Sequence, residues 1–346
     1  MKIVASVTPA PREAWEAAFA ADPLALETQS PSWADAMCAQ RGFEDVSLLY
    51  QTDEGRDLVF PMLRRRLARG LPAIEGSMPR SCGVGGVVAA GGPSQEEIAA
   101  VFHELARRAS TYLTIYPNPL LAESWAKDLP AAAISIPRRA HVMDLEGGFE
   151  QVWKHRFSSS TRTAVRKAER EGVTVECDTT GRLMGEYYGL TELAVQRWAA
   201  AQHEPPWLAR LRLHQRDPLQ RMEAIARTLG DRCRVWLARV DGRPAGGFIV
   251  LQGANGYGFR AAMDDELKRY HAHDLLVRHI VEDVCNSGCH YYYLGSSGWS
   301  TSKSVFKERV GARPVVYSEY RLERLPVTAI ERVAKQAVKK VVRFRD

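Results

Sequence analysis

The feature that most constrains the fold is an order of segments that occurs twice along the chain. Residues 46–63 alternate apolar and polar positions around a turn at Asp53-Glu54-Gly55, and a glycine-rich stretch, a helical pattern and an extended segment follow. Residues 234–252 begin the same order with a turn at Asp241-Gly242, before a glycine-bearing strand, a helix and the strand HYYYL. Two such copies predict an α+β protein in which one module, a mixed β-sheet flanked by helices, is used twice.

The length of the chain agrees with two modules. It has 346 residues, of which 45% are hydrophobic, whereas single cores stop growing at about 250 to 300 residues. We expect an N-terminal module over 1–145 and a second module over 146–326. A basic amphipathic helix is expected over 327–346. Residues 149–230 have a mostly helical pattern.

Charge and cysteine content narrow the class of protein only slightly. The formal net charge of +6 is compatible with phosphorylated or nucleic-acid partners and equally with an ordinary globular protein. The six cysteines are spread along the chain without the density of a disulfide scaffold, which favours a reducing compartment. No signal-peptide pattern and no long apolar run occur. We therefore expect a cytoplasmic protein without a transmembrane segment.

A basic segment near residue 160 is the strongest local charge signal. Ser158 to Ser160 are suited to cap a helix on which Arg162, Arg166 and Arg170 recur every fourth residue. Such a row suits a phosphate-rich partner. A solvated helix, with neighbouring glutamates as partners for the arginines, is the alternative.

The residue pattern indicates neither a metal site nor a nucleophilic mechanism. Cys285, Cys289 and His290 are close in sequence, but the C-x3-C spacing lacks the second pair of a zinc site, so we expect buried thiols and no metal. No G-x-S-x-G motif and no serine-histidine pattern indicates a nucleophilic mechanism.

Several segments resemble Fem-type aminoacyl transferases and their relatives in the GNAT superfamily. RTAVRKAEREGVTVE is similar to the opening of the second Fem-type domain, and GLTELAVQRW and VFKERVGARP are similar to later parts of it. The stretch GFRAAMDDELKRYHAHDLLVRHIVEDVCNSGCHYYYLG and the N-terminal QSPSWADAM also resemble this group. The resemblance implies two tandem GNAT-like domains, the second carrying the donor site, that transfer an acyl or aminoacyl group to an amine.

The resemblance also implies a catalytic pair, Phe306 and Lys307. In Fem-type enzymes an equivalent lysine stabilises charge that develops on the ester carbonyl. Aminolysis of an ester passes through a tetrahedral oxyanion, and a fixed cation beside that oxygen lowers the barrier. The alternative is an ordinary surface lysine on a helix that begins at Ser304.

The donor is expected to be aminoacyl-tRNA. Users of acyl-CoA generally carry Q/R-x-x-G-x-G/A before the helix that holds the pyrophosphate, and ELKRYHAHDLLVR contains no glycine. Acyl-CoA remains the alternative donor, and no tightly bound cofactor is expected. The residues expected to bind the phosphates or RNA of the donor are Arg162, Arg166, Lys167, Arg170, Lys268 and Arg269.

The acceptor, an amine-bearing peptide or small molecule, is expected in the cleft between the modules. The resemblance implies a contact from Arg197. Weaker candidates for substrate binding are Tyr187, Tyr257, Arg260, Ser296 and Trp299, while Asp264 and Asp265 are suited either to act as a base or to cap a turn. A binding protein that has lost catalysis and an RNA-binding module are the alternatives to an enzyme.

Overall fold

A computed structural model describes residues 1–39, 42–65, 73–108, 111–201, 204–298, 301–324 and 327–329. Its strands are β1 (Ile3–Val7), β2 (Phe43–Asp45), β3 (Leu48–Thr52), β4 (Asp57–Phe60), β5 (Leu63–Arg65), β6 (Ile74–Gly76), β7 (Val88–Ala89), β8 (Tyr112–Ile115), β9 (Ala133–Asp144), β10 (Thr174–Asp178), β11 (Cys233–Val240), β12 (Arg243–Gln252), β13 (Gly256–Met263), β14 (Tyr291–Ser296) and β15 (Arg313–Glu323).

The α-helices are α1 (Arg12–Ala20), α2 (Pro31–Cys38), α3 (Gln95–Arg107), α4 (Ala122–Lys127), α5 (Gly148–His155), α6 (Ser159–Arg170), α7 (Met184–Ala201), α8 (Pro206–Arg216), α9 (Leu219–Leu229), α10 (Ala272–Asn286) and α11 (Thr301–Arg309). A 3-10 helix, Asp265–Tyr270, precedes α10. The basic helix predicted at the end of the chain lies almost entirely outside the described residues.

Both predicted hairpins are confirmed. Strands β3 and β4 pair antiparallel, as do β11 and β12, whose closing pair is Val240 with Arg243. The turn residues Asp241 and Gly242 have φ of 50° and 78°. Positive φ at both central positions is the requirement of a two-residue turn whose twist matches the strands, and aspartate followed by glycine tolerates it.

One sheet contains strands from both of the predicted modules, 1–145 and 146–326. Its eleven strands run in the order β10-β11-β12-β13-β14-β9-β15-β8-β6-β5-β2, and a separate four-stranded sheet has the order β1-β3-β4-β7. β9 lies between β14 and β15, and β15 pairs with β8. The sequence predicted mixed sheets flanked by helices correctly, but it did not show that one sheet continues through both modules.

Several strands were missed, among them β1, β2, β6 and β10. β10 lies within 149–230, which was expected to be mostly helical, and it pairs antiparallel with β11 at the edge of the large sheet. Only Asp178 among its residues is buried. A short, half-exposed segment shows little alternation of apolar and polar residues, so the sequence pattern does not predict a strand there. Its hydrogen bonds with β11 make it a strand.

Helices cover both faces of the central strands. Ile249 and Leu251 of β12 belong to the core beneath α2, α7 and α9, whereas Phe248 and Val250 point to the opposite core beneath α5, α6 and α10. Alternate side chains of a strand point to opposite faces, so an almost continuous apolar run is what a strand buried on both sides requires. Within the described residues, no helix has the length and apolar character needed to cross a bilayer.

Candidate functional site

Strands β13 and β14 separate soon after they pair. They are parallel neighbours, yet only Gly256 with Tyr292 and Tyr257 with Tyr293 are paired. A register irregularity in the pairing of β12 with β13, between Ile249 and Val250, bends β13 on its other side. Both strands continue beyond these two pairs without further pairing to each other, and we call this unpaired region the gap between β13 and β14.

Lys307 lies at this gap. Its Nζ donates to the carbonyl oxygen of Gly295 at 2.8 Å and to that of Ser296 at 3.3 Å, both at the end of β14. A Cβ added to Gly295 would be 3.2 Å from the carbonyl oxygen of Gly258 on β13 and 3.8 Å from Nζ. Lys307 is half-buried, and the helix that carries it, α11, begins at Thr301 rather than at Ser304.

Burial changes the protonation of Lys307. Desolvation, aided by the charge of Lys303, lowers the pKa of Lys307 to about 7. An ammonium group has three N–H donors, and the two carbonyl groups accept from two of them. The remaining donor is suited to an oxygen of a bound substrate, and the lowered pKa suits a group that changes charge near neutral pH.

Phe306 supports the lysine through packing. Its ring centroid is 5.1 Å from that of His273, which in turn lies 4.4 Å from the ring of Phe248 on β12. Burial lowers the pKa of His273 to about 4, so this ring is neutral at pH 7. Phe306 thus packs α11 against the first turn of α10.

The turn before α10 is not a glycine-rich phosphate cradle. It forms a 3-10 helix in which the Glu266 amide donates to the Asp264 carboxylate at 3.0 Å and the His271 amide donates to the Lys268 carbonyl at 3.1 Å. Asp274, in the first turn of α10, lies 3.4 Å from His271 with its side chain 13% exposed. The chain's own carboxylates therefore surround the helix start where an anion would otherwise bind.

Some basic residues of α6 bond to backbone carbonyl groups of the protein, and others are exposed. Arg162 donates to carbonyl groups at the end of α5, including that of Lys154 at 3.1 Å, so it serves to join two helices. Lys167 donates to the carbonyl of Arg269 at 3.3 Å and connects α6 to the 3-10 helix. We call the exposed basic residues of α6 and the 3-10 helix the basic surface, which consists of Arg166, Arg170, Lys268 and Arg269 and is interrupted by the exposed acidic residues Glu169, Asp265 and Glu266.

Arg260 joins the second module to the first. It binds Asp217 with two nitrogens, at 3.1 Å and 2.9 Å, and donates to the carbonyl of Ser81 at 2.7 Å. Its guanidinium lies 4.0 Å from the ring centroid of Phe259. Burial raises the pKa of Asp217, but the charge and hydrogen bonds of Arg260 and Arg216 outweigh burial and lower it.

The remaining predicted substrate contacts lie in other surroundings. Tyr187 and Tyr257 are buried in the core, where Tyr257 stacks on Tyr293 with centroids 4.8 Å apart. Arg197 forms an ion pair with Asp265 at 2.8 Å. Ser296 donates to the carbonyl of Arg139 at 3.1 Å. Trp299 lies outside the described residues.

A cleft of about 1160 Å³ lies between the modules, bounded by β5, β6 and β8 on one side and by α7 and α8 on the other. Six arginines and two glutamates line it: Arg65, Arg80, Arg212, Arg216, Arg221, Arg321, Glu75 and Glu204. Glu75 accepts from Arg64 at 2.7 Å, and Glu204 is paired with Arg212. The surplus of arginines suits an anionic ligand. Sequence reasoning predicted a cleft between the modules but did not identify these arginines, although the i, i+4 spacing of Arg212 and Arg216 on α8 was visible.

The thiols considered for a metal are not arranged as ligands. Burial raises the pKa of Cys285 and of Cys289 to about 11, and Cys289 donates to the carbonyl of Gly253 at 3.7 Å. Across the part of the chain that the structure describes, no cluster of three or more histidine, cysteine or acidic side chains is arranged to hold a metal ion.

Comparison with known proteins confirms the predicted fold. Residues 155–307 match the family described as acetyltransferase (GNAT) domain. The chain is similar to the crystal structure of FemX, with 11% identity and a TM-score of 0.63 over 92% of this chain and 97% of that one. A conserved protein of unknown function from Bacteroides thetaiotaomicron VPI-5482 has 7% identity and a TM-score of 0.53 over 91% and 99% of the two chains.

A third similar structure is the C-terminal domain (DUF2156) of a protein from Agrobacterium fabrum named as a lysylphosphatidylglycerol synthetase. It has 13% identity and a TM-score of 0.50, and covers 92% of this chain and 93% of that one. The sequence matches none of the curated proteins with which it was compared. The match over residues 155–307 supports an acyltransferase with a GNAT-type domain.

Proposed function

We propose that this acyltransferase of GNAT fold moves an aminoacyl group from aminoacyl-tRNA to an amine of a peptide or small molecule. The observation that carries the proposal is the position of Lys307, whose Nζ lies at the gap between β13 and β14 and keeps one N–H for a substrate. A cytoplasmic location, where aminoacyl-tRNA occurs, is part of the proposal.

The reaction needs a cation at the ester carbonyl. The neutral acceptor amine attacks the carbonyl carbon, the carbonyl electrons move to oxygen, and Lys307 donates to the resulting oxyanion. Collapse of this intermediate breaks the ester bond, leaves the amide, and returns the ribose hydroxyl of the tRNA, which takes up the proton that the amine releases. Direct attack requires no enzyme nucleophile.

The donor assignment is supported by the surroundings of α10. The 3-10 helix Asp265–Tyr270 and the carboxylate of Asp274 occupy the region in which a glycine-rich loop would hold a pyrophosphate. The basic surface of Arg166, Arg170, Lys268 and Arg269 lies beside it and suits the dispersed phosphates of an RNA. Lys167 joins the two parts of this surface.

The arginine-lined cleft supports an acceptor that carries a negative charge in addition to its amine. Arg260 connects β13, which borders the donor gap, to Ser81, which lines the cleft. This connection suits an enzyme in which the two substrates approach Lys307 from different sides.

Transfer from acyl-CoA is the second candidate, because the matching family is described as an acetyltransferase domain. A protein of this fold that binds RNA or a small ligand without catalysis is a further alternative. In that case Lys307→Ala would leave function intact.

Calorimetry with matched donors tests the donor assignment. The probes are a minihelix RNA ending in CCA with an amide-linked amino acid, the same RNA without the amino acid, and acetyl-CoA. We expect saturable binding of the aminoacyl RNA that exceeds binding of the bare RNA, and that weakens in Arg166→Glu. Micromolar binding of acetyl-CoA instead would refute the tRNA assignment, and equal affinity for both RNAs would indicate an RNA-binding module.

A further inference from the structure

His141 forms a buried hydrogen-bonded cluster beside Lys307. It is on β9 with 0% of its surface exposed. Its Nδ1 lies 2.9 Å from the hydroxyl of Ser297, and its Nε2 lies 3.0 Å from the hydroxyl of Ser304 and 3.4 Å from the carboxylate of Glu308. Ser297 and Ser304 are each 5% exposed.

The hydrogen bonds of the cluster indicate which group donates and which accepts in each pair. Ser304 donates its hydroxyl proton to the Glu308 carboxylate at 2.9 Å, because an ionised carboxylate only accepts. Ser304 therefore accepts from Nε2–H of His141, and Nδ1 accepts from Ser297. Burial lowers the pKa of His141 despite its hydrogen bond with Glu308, and the charge of Lys307 lowers it further, which agrees with a neutral ring.

The cluster contacts both the loop that accepts hydrogen bonds from Lys307 and the helix, α11, that carries Lys307. Ser297 directly follows Gly295 and Ser296, the two residues whose carbonyl groups accept from Nζ. Ser304 and Glu308 lie on α11, on either side of Lys307 in the sequence. A single imidazole thus fixes the loop that receives the ammonium group and the helix that carries it, and ties both to β9.

We propose that His141 is a positioning residue for Lys307, and this inference rests on the catalytic role given to Lys307 in the proposed function. A looser α11 would let water reach Nζ and would allow it to leave the two carbonyl groups. Catalytic groups need to be held within a fraction of an ångström of their working position. Loss of His141 would therefore impair the chemical step more than substrate binding.

A different use of the same residues would be a covalent mechanism. A serine hydroxyl on one ring nitrogen and a carboxylate on the other is the arrangement of a nucleophile, a base and an orienting acid. Ser297 is only 5% exposed, however, whereas Lys307 is half-buried, and the Ser297 hydroxyl is directed at the ring of His141. Positioning accounts for the buried hydroxyl, whereas a nucleophile needs access to the ester.

The test measures the reactivity of Lys307 directly. Competitive labelling with acetic anhydride across a pH series, read by peptide mass spectrometry, gives the midpoint at which the amine becomes reactive, and we expect this midpoint at about 7 in the wild type. In His141→Ala we expect the midpoint to rise by about one unit or more towards the ordinary lysine value. In a transfer assay we expect kcat to fall while KM changes little. Labelling needs neither donor nor acceptor, so it gives a result even where the proposed function fails.

Two further variants keep the test decisive. Ser297→Ala removes one arm of the cluster and should shift the midpoint part of the way, even where His141→Ala does not fold. Ser94→Ala removes the cap of α3 in the first module and should leave the midpoint unchanged. Lys303 and Arg139 remain in every variant, so their charges are constant. An unchanged midpoint in folded His141→Ala or Ser297→Ala, or an acyl group found on Ser297, would overturn the proposal.

Discussion

The contact of Arg260 with Asp217 gives a prediction whose size follows from burial. Arg260→Leu leaves the Asp217 side chain, which is 6% exposed, with Arg216 as its remaining ion-pair partner at 2.7 Å. Removing one member of a buried pair costs about 3 to 5 kcal/mol when the other charge is left alone. Since Arg216 partly compensates Asp217, while the bond to Ser81 is also lost, we expect the free energy of unfolding to fall by about 3 kcal/mol.

Urea denaturation of matched variants measures this loss. The control is Arg239→Leu, on strand β11 of the same sheet, because Arg239 pairs with Glu186, whose side chain is 44% exposed. That pair should contribute less than about 1 kcal/mol. The double variant Arg260→Leu/Asp217→Leu should be more stable than Arg260→Leu, because it leaves no unpaired carboxylate in the core.

The effect should also depend on pH with a defined sign. The pKa of Asp217 is lower in the folded protein than its ordinary value of 3.8. Its contribution is therefore complete above about pH 4 and is lost as the pH falls through the folded pKa. Equal losses for Arg260→Leu and Arg239→Leu at pH 7, or a double variant no more stable than Arg260→Leu, would refute the reasoning.

Four other predictions concern activity and donor binding. Lys307→Ala should reduce kcat by about 10²- to 10³-fold. Because the cation is the working form, wild-type kcat at saturating acceptor should fall as pH rises through about 7, and Lys307→Arg should retain some activity without this decline. Arg80→Glu should raise the acceptor KM about tenfold or more with kcat nearly unchanged, whereas Arg107→Glu on α3 should change neither. Arg166→Glu with Arg170→Glu should weaken binding of the donor RNA and reduce its salt dependence, as measured by titration at several ionic strengths.

Local patterns were sufficient to predict most elements of the fold. The hairpins β3–β4 and β11–β12, the helix α10 and the strand β14 each carry their signal within a short window, because turn residues and apolar periods are local properties. The shared sheet was not predictable in this way. β9 and β15 pair over ten positions although about 180 residues separate them, and the apolar pattern of either strand does not identify its partner.

In the candidate site, too, one residue was indicated by the sequence, whereas others come together only in the folded chain. The resemblance drew attention to Lys307, and the structure gives it carbonyl partners, burial and a lowered pKa. His141 gave no signal, because an isolated histidine among apolar residues of a strand is indistinguishable from a core residue until Ser297 and Ser304 are brought to it. The arginines of the cleft come from both modules and meet only in the folded chain.

The most direct test of the account is to find where the aminoacyl end of the donor lies. A minihelix RNA ending in CCA, with a diazirine-bearing amino acid on a 3′-amide, would be crosslinked by light and the labelled peptides sequenced by mass spectrometry. The account predicts labels within 291–298 and 301–309, on either side of Lys307, which unlabelled aminoacyl RNA suppresses and acetyl-CoA does not. Labels confined to other parts of the chain, or suppression by acetyl-CoA, would contradict transfer from aminoacyl-tRNA at Lys307.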